Sequence, residues 1–512
     1  MTFTGTLLPY QPMAVDKMCL RRAQIVAYDM GLGKTVLTIA AIERLMDAGT
    51  ITEPGLIIAL STLKYQWAEQ IQRFTEGTSV SLVIDGTPTK RTEQYGLARN
   101  WYTSGVDYII LNYEQVVNDW NQVRKLPRGF IVLDEATAIK GFRAKRSKYV
   151  KKLTSPLRFA LTGTPMENGK PEEIYSIMQF IEPSVLGGPR TFDDRYIVRN
   201  SFGGVSRYRN LPELHDRLSP WIVRKRQTDA DVAPYLPVST VKAPVRVFWD
   251  RAGARLYGIM RDDLSLDLLS AAAAGVPDFN VYAHYGEGRS SSAGKLQGRI
   301  GAKILAMRML CCSPELLHSS NSAYVRHLRQ AGALDGLTKS PKLMALQQYV
   351  SEFATQSPAN KIVIFTHFVE MTALIAKALV RYQPQVYTGA MNARQKEAAK
   401  VRFQTDLAVR VLVSSDAGGY GVDLPQANLL INYDLPDTAG MAKQRNDRIK
   451  RASSTWPTIV VQDFVMHDSI EERQVDVLRQ KTSIQDAVLD GVEGQNFSLT
   501  VSSLRKFLTT RV

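Results

Sequence analysis

The chain has 512 residues, 45% hydrophobic and 22% charged, enough for two or three domains with full cores and the balance of an ordinary soluble globular protein. Its 64 lysines and arginines against 49 acidic residues give a formal charge of +15, which favours polyanionic partners through counterion release but carries no sequence preference. Three cysteines, two of them adjacent at Cys311 and Cys312, exclude a disulfide framework or a CxxC zinc site, and no run of 18 or more apolar residues is present to span a membrane.

Residues 1–165 read as a parallel α/β sheet in which short apolar strands (AQIVA, GLIIAL, SLVI, YIIL, FIVL, RFALT) alternate with helices and loops. The first strand runs into DMGLGKT, Asp29 to Thr35, and then into VLTIAAIERLM, whose apolar residues repeat at helical spacing. Strand, glycine-bearing turn and helix is the setting of a phosphate-binding loop. The backbone of Asp29, Met30, Gly31, Leu32 and Gly33 would cradle phosphates at the helix N-terminus. Lys34 would neutralise them, and the Thr35 hydroxyl would hold Mg²⁺. The strict loop pattern asks for glycine where this chain has Tyr28. The strand Gly129 to Leu133 delivers Asp134 and Glu135 to its C-terminal end, where open α/β sheets bind ligands. Asp134 is expected to complete the Mg²⁺ site through water and Glu135 to polarise the attacking water. Together these predict a nucleoside triphosphatase. A second phosphate-loop lookalike, Gly288 to Lys295, has the wrong spacing and reads as a flexible loop.

Residues 166–237 read as a helical, basic, proline-punctuated insertion. Residues 238–339 read as the start of a second α/β lobe with a helical insertion and a mobile Gly/Ser-rich loop from Gly286 to Gly301. That lobe resumes over 340–467 with KIVIF, PQVYT, VRVLVSS, ANLLINY and TIVVQDFV as strands, and 468–512 is a tail, helical first and basic around Arg505 and Lys506. The six histidines show no HxxxH spacing, so no metal beyond Mg²⁺ is expected. The N-terminus lacks a basic stretch followed by an apolar one, so a cytoplasmic protein is expected.

Further motifs follow in order: LTGTPMEN (Leu161 to Asn168), SSDAGGYGVDLPQANLLINYDLP (Ser414 to Pro436) and QRNDRIKR (Gln444 to Arg451). With the loop and the Asp-Glu pair, these resemble the successive motifs of superfamily 2 helicases, and more closely the Swi/Snf-type DNA translocase branch. LLPYQ, STLKYQWAEQIQRF, DYIILNYEQV, LSPWIVRKRQTDADVAPYLP and KIVIFTHF are similar to other segments of that branch, so the resemblance spans Leu7 to Arg451. Three departures stand out. Thr137 replaces the histidine after Asp-Glu-Ala, Leu435-Pro436-Asp437 replaces Trp-Asn-Pro, and the last motif lacks its histidine and its Ile-Gly-Gln tail.

The resemblance implies two RecA-like parallel-sheet lobes with ATP in a cleft. It implies that Gln11 recognises adenine, that Gly421, Asp423 and Gln444 serve the nucleotide, and that Arg448 and Arg451 act as arginine fingers. It matches Ser61, Thr62, Lys64, Asn112, Tyr113, Thr162 and Ser415 to positions facing the sugar-phosphate track of DNA, while the helical context of Trp67 reads as core. Arg224-Lys225-Arg226 with Arg207 and Arg209 read either as a clamp on duplex phosphates or as a solvated face. The implied activity is ATP-driven translocation, on duplex rather than single-stranded DNA, in a minimal motor like bacterial and phage members. A strand-separating helicase and a DNA-binding ATPase switch are the alternatives. The partner expected besides DNA is a replication, repair or recombination protein, and the default state is a monomer.

Overall fold

A computed structural model of the chain describes residues 2–199, 205–273, 292–416 and 422–491. They form two compact units. One takes the chain up to Tyr196, Asn210 to Leu236, and the stretch from Ile484 to the last described residue, Gly491. The other takes Ile197 to Arg209 and Pro237 to Ser483.

The first unit is built on strands β1 (Ala23–Tyr28), β2 (Gly55–Ala59), β3 (Ser81–Val83), β4 (Tyr108–Asn112), β5 (Ile131–Leu133) and β6 (Arg158–Leu161). Every residue of β1, β2 and β5 is buried, as strands covered on both faces require, and that is why they read as unbroken apolar runs. The segment expected to be a helical, basic insertion, 166–237, also carries strands. It contributes an antiparallel pair to the second unit, β7 (Ile197–Arg199) with β8 (Val205–Tyr208), and to the first unit β9 (Ile222–Lys225). β9 completes an all-parallel sheet of order β3-β4-β2-β5-β6-β1-β9, with Ile222 opposite Ile25 and Val223 opposite Val26. The reason is non-local: β1 has a free edge, and Val223, 1% exposed, buries itself there.

The second unit carries β10 (Val238–Val241), β11 (Val245–Val247), β12 (Ile362–Thr366), β13 (Gln385–Tyr387), β14 (Val411–Ser415), β15 (Leu429–Asn432) and β16 (Thr458–Met466). Its sheet runs β10-β16-β15-β12-β14-β13, parallel throughout, with β11 also on β16. Two long helices, Arg251–Ala273 and Ser292–Cys312, precede β12. The second begins inside the stretch expected to be a mobile loop. Leu296, Ile300, Ile304 and Met307 recur at helical spacing and are buried against Leu256, Met260 and Leu264, which outweighs the glycines. Residues 286–291 of that expected loop, like Arg505 and Lys506, lie outside the described residues.

A fully buried ion pair pins this unit. Lys342, at the start of helix Pro341–Gln356, donates to both oxygens of Glu471 at 2.6 and 2.8 Å, and Met466 N–H donates to the same carboxylate at 2.8 Å. Burial alone would push the Lys342 ammonium down, but Glu471 outweighs it and keeps it charged. Glu471→Gln is therefore expected to strand a buried cation and destabilise the protein by about 3–5 kcal/mol in denaturant unfolding. Lys342→Met combined with Glu471→Leu is expected to recover most of that loss, because the double variant removes the pair without leaving a lone charge.

Candidate active site

β1 hands the chain to a turn that glycine makes possible. Gly31 and Gly33 both have φ 79°, left-handed geometry that costs glycine little, and helix Lys34–Asp47 starts at the next residue. The helix N-terminus and the N–H groups of its first turn therefore meet the loop, as an anion site needs. A Cβ on Gly33 would fall 2.3 Å from Gln11 Nε2, so a side chain there would displace Gln11 as well as strain the turn. Gln11 is committed at both ends, its Nε2 donating to Leu32 O at 2.9 Å and its Oε1 accepting from Leu8 N–H at 2.8 Å. The residue expected to recognise adenine thus stands as a brace between the N-terminal segment and the loop. A second brace escaped sequence reasoning: Gln227 donates its N–H to Asp29 Oδ2 at 2.9 Å and its Nε2 to Met30 O at 3.0 Å. Only the placement of β9 beside β1 could have pointed to it. Lys34 Nζ donates to Tyr28 O at 2.9 Å and to Asp29 O at 3.4 Å. Thr35, the next residue, is half-buried.

The carboxylate half of the site lies at the end of β5. Asp134 is buried, and Trp67 Nε1 donates to its Oδ2 at 2.8 Å while Glu135 N–H donates to its Oδ1 at 3.0 Å. Tyr113 Oη donates to the Asp134 carbonyl at 2.7 Å. Burial pushes the Asp134 carboxyl above its ordinary value, opposed by the Trp67 hydrogen bond and by the nearby Lys34 ammonium. Glu135 has φ 48° and ψ 57°, a left-handed conformation that costs a non-glycine residue about 1–2 kcal/mol and clusters at functional sites. From β6, Gly163 approaches the loop: a Cβ there would lie 3.1 Å from Met30 Cγ and 3.5 Å from Lys34 Nζ. Lys34, Asp134 and Gly163 therefore meet at the C-terminal ends of β1, β5 and β6, consecutive strands in the order β5-β6-β1.

Trp67 is both core, 1% exposed, and the donor that orients Asp134. Trp67→Phe keeps the bulk but leaves the buried Oδ2 without that donor. Nucleotide-dependent turnover is expected to fall about tenfold, the loss of one hydrogen bond to a charged group, with ATP affinity much less affected. Steady-state kinetics with the circular dichroism spectrum as a fold control would check it.

A cavity of about 590 Å³ opens beside the loop, with Leu8, Gln11, Gly31, Gly33, Arg73 and Phe74 among the residues that line it. That is the size of a small-ligand pocket, and it combines anion-binding backbone with an aromatic ring. The hydroxyl of Thr35 and the carboxylate of Asp134 are hard oxygen donors of the kind Mg²⁺ takes.

In the second unit Asp423 precedes β15, and Gln444, Arg448 and Arg451 follow it. Gln444 is buried on helix Ala439–Asn446, and Arg448 and Arg451 are 3% and 4% exposed. Arg451 Nη2 pairs with Asp423 Oδ1 at 2.6 Å, and Arg448 Nη1 donates to Val422 O at 3.5 Å. Gly421 lies outside the described residues.

The positions matched to a DNA track divide. Ser61 and Thr62 are exposed, and Asn112 caps helix Tyr113–Asn118 while its Nδ2 donates to Ser61 Oγ at 2.9 Å. Lys64, Tyr113, Thr162 and Ser415 instead point inward, 2% exposed or less. Lys64 shares one face of helix Lys64–Phe74 with Trp67 and Ile71, and donates to Ile84 O at 2.7 Å and Asp85 Oδ1 at 3.0 Å. Thr162 Oγ1 accepts from Thr164 N–H at 3.1 Å. The cluster Arg224-Lys225-Arg226 is matched by carboxylates: Arg224 bonds Asp490 at 2.6 and 3.1 Å, Lys225 pairs with Asp231 at 2.5 Å and Arg226 with Asp229 at 3.0 Å. Arg207 and Arg209 are exposed.

Residues 10–267 match the family model of the SNF2-related domain, and residues 341–453 match that of the helicase conserved C-terminal domain. YwqA of Bacillus subtilis is 24% identical over 518 residues, covering 99% of this chain and 51% of that protein. The SWI/SNF-related matrix-associated actin-dependent regulator of chromatin subfamily A member 1 of Mus musculus is 23% identical over 473 residues, covering 91% of this chain and 41% of that protein. The chain thus spans about half the length of these curated relatives or less. The Hef helicase domain of Pyrococcus furiosus shares the fold, with a TM-score of 0.53 and 18% identity over 92% of this chain and 98% of that one.

Proposed function

The chain belongs to the SNF2-related family, and on that premise we propose that it is an ATP hydrolase whose turnover drives movement along duplex DNA. The observation that carries the reading is the meeting of Lys34 with the buried, Trp67-held Asp134 beneath the Gly31–Gly33 turn. Lys34 would exchange its bonds to Tyr28 O and Asp29 O for phosphate oxygens, which satisfy an ammonium better. Thr35 and Asp134 would hold Mg²⁺, which when bound neutralises phosphate charge. Glu135 would orient the attacking water and take its proton. We carry over from the resemblance the role of Arg448 and Arg451 as cations that stabilise the transition state.

Duplex DNA as the track is supported by the net charge of +15 and by relatives whose names describe chromatin regulation. Ser61, Thr62 and Asn112 are the polar side chains of the matched positions left to meet a phosphate backbone, contacts that position a strand without reading its bases. A replication, repair or recombination protein remains the proposed partner, and the cytoplasm the proposed location.

Steady-state ATP hydrolysis without nucleic acid, and with single-stranded DNA, duplex DNA or RNA, tests the reading. Strong stimulation by duplex is the expected result. Stimulation by single strands alone would replace the duplex motor with an unwinding helicase, and no stimulation by any of them would leave an ATP switch.

A further inference from the structure

The segment bearing Gln444, Arg448 and Arg451 is tied down at Arg445, a residue of the QRNDRIKR motif to which the resemblance assigns no role. Arg445 is 3% exposed. Its Nε donates to Asp416 Oδ1 at 2.6 Å, and its Nη1 donates to Asp434 O at 2.7 Å and to Asn432 Oδ1 at 3.3 Å. Its guanidinium lies 5.7 Å from the Phe365 ring. Phe365 belongs to β12, Asn432 ends β15 and Asp416 directly follows β14, so one cation gathers the C-terminal ends of three adjacent strands. Asp416 has a second partner, His367 Nδ1, 3.2 Å from its Oδ2, and His367 N–H donates to Asp434 Oδ1 at 2.8 Å. Further along, Asp423 grips Arg451 at 2.6 Å. Asp416 and Asp423 thus hold the arginine-bearing segment at two points.

We propose that Asp416 is a positioning residue, which by holding Arg445 sets where Gln444, Arg448 and Arg451 stand, and that protonation of His367 tightens this hold. The inference rests on the proposed ATP hydrolysis. It adds a residue that touches no nucleotide but governs those that would.

The groups facing His367 are Asp416 after β14, Asp434 and Asp437 after β15, and Arg308 from helix Ser292–Cys312, which bonds Asp437 Oδ1 at 2.5 Å. The hydrogen bond to Asp416 raises the imidazole above its ordinary value, against burial and the Arg308 charge. Burial would lift the Asp416 carboxyl, but Arg445 and His367 hold it down to about 2. Because the folded imidazole binds its proton more tightly than the unfolded one, its contribution is complete below the unfolded value of about 6.5 and is lost as pH rises through the folded value. Asp416 stays ionised throughout, so Arg445 keeps its own partners at high pH, and what the hold loses is the imidazolium that fixes Asp416 from its other oxygen.

The test is ATP hydrolysis at saturating duplex DNA, from about pH 5.5 to about 8.5, for the full chain, Asp416→Asn, Arg445→Lys, their combination and His367→Gln. Asp416→Asn is expected to lower kcat about tenfold while leaving KM for ATP within about twofold, and the double variant is expected to be no worse than the poorer single. His367→Gln keeps a neutral donor toward Asp416 and is expected to flatten the pH profile. A kcat unchanged in Asp416→Asn, losses that multiply in the double variant, or a His367→Gln profile superimposable on that of the natural protein would each overturn the proposal. If the natural protein hydrolyses no ATP with any nucleic acid, the functional reading fails first. Thermal unfolding of the same variants then decides the hold by itself, since additive shifts overturn it and non-additive shifts support it.

Discussion

Lys34→Ala is expected to reduce ATP hydrolysis by about a thousandfold or more, the scale of removing a preorganised charge from a phosphoryl-transfer site. The fold should survive. Lys34 is half-buried at the start of a helix whose apolar face is carried by Leu37, Ile39, Ala41 and Ile42, and alanine is the best helix former. What the variant loses is the ammonium that bonds Tyr28 O and Asp29 O and that opposes the burial-driven rise of Asp134. ATP affinity should fall as well, because the same cation serves bound nucleotide and transition state. Turnover and nucleotide binding measured on one preparation, with circular dichroism as control, would check this. Unchanged hydrolysis would remove the loop from the active site.

Glu135→Gln is expected to separate the two steps that Lys34→Ala joins. The amide has the carboxylate's shape and still occupies the left-handed backbone position, so ATP binding should persist, but it cannot accept a proton from water. A loss of about a hundredfold to ten-thousandfold in kcat, the range for removing a general base, is expected with KM little changed. Equilibrium binding beside single-turnover hydrolysis distinguishes this from misfolding. Full activity would assign the base to another residue.

Much of this site was legible in the sequence because its parts are local. A strand whose six residues are all buried reads as an apolar run, DMGLGKT follows it directly, and the left-handed turns fall on glycines that any reader would mark. The Asp134-Glu135 pair was legible for the same reason, sitting at the end of β5. What was hidden depends on partners distant in the chain. Trp67 reads correctly as core, yet nothing in its neighbourhood says that its indole N–H ends on Asp134. Lys64 reads as facing the sugar-phosphate track until Ile84 and Asp85 are brought to it. Gln227 and β9 acquire meaning only beside β1, and Arg445 only once the ends of β12, β14 and β15 converge on it. The helix from Ser292 was misread because glycine and serine dominate local preference there, whereas buried Leu296 and Ile300 decide the outcome.

The placement of β9 has a consequence for biosynthesis. β1 leaves the ribosome early, but the neighbour that covers its outer edge is made only after the whole of β2 to β6, so the nascent sheet carries an open, apolar edge for most of that interval. Even then Arg224 on β9, little exposed, waits for Asp490, which is translated after the second sheet is complete. A chain released after Leu236 would own every strand of the first sheet and still hold an uncompensated guanidinium at its rim. Chaperone dependence should therefore be greater for such a fragment than for the full chain, and Arg224→Leu should relieve it.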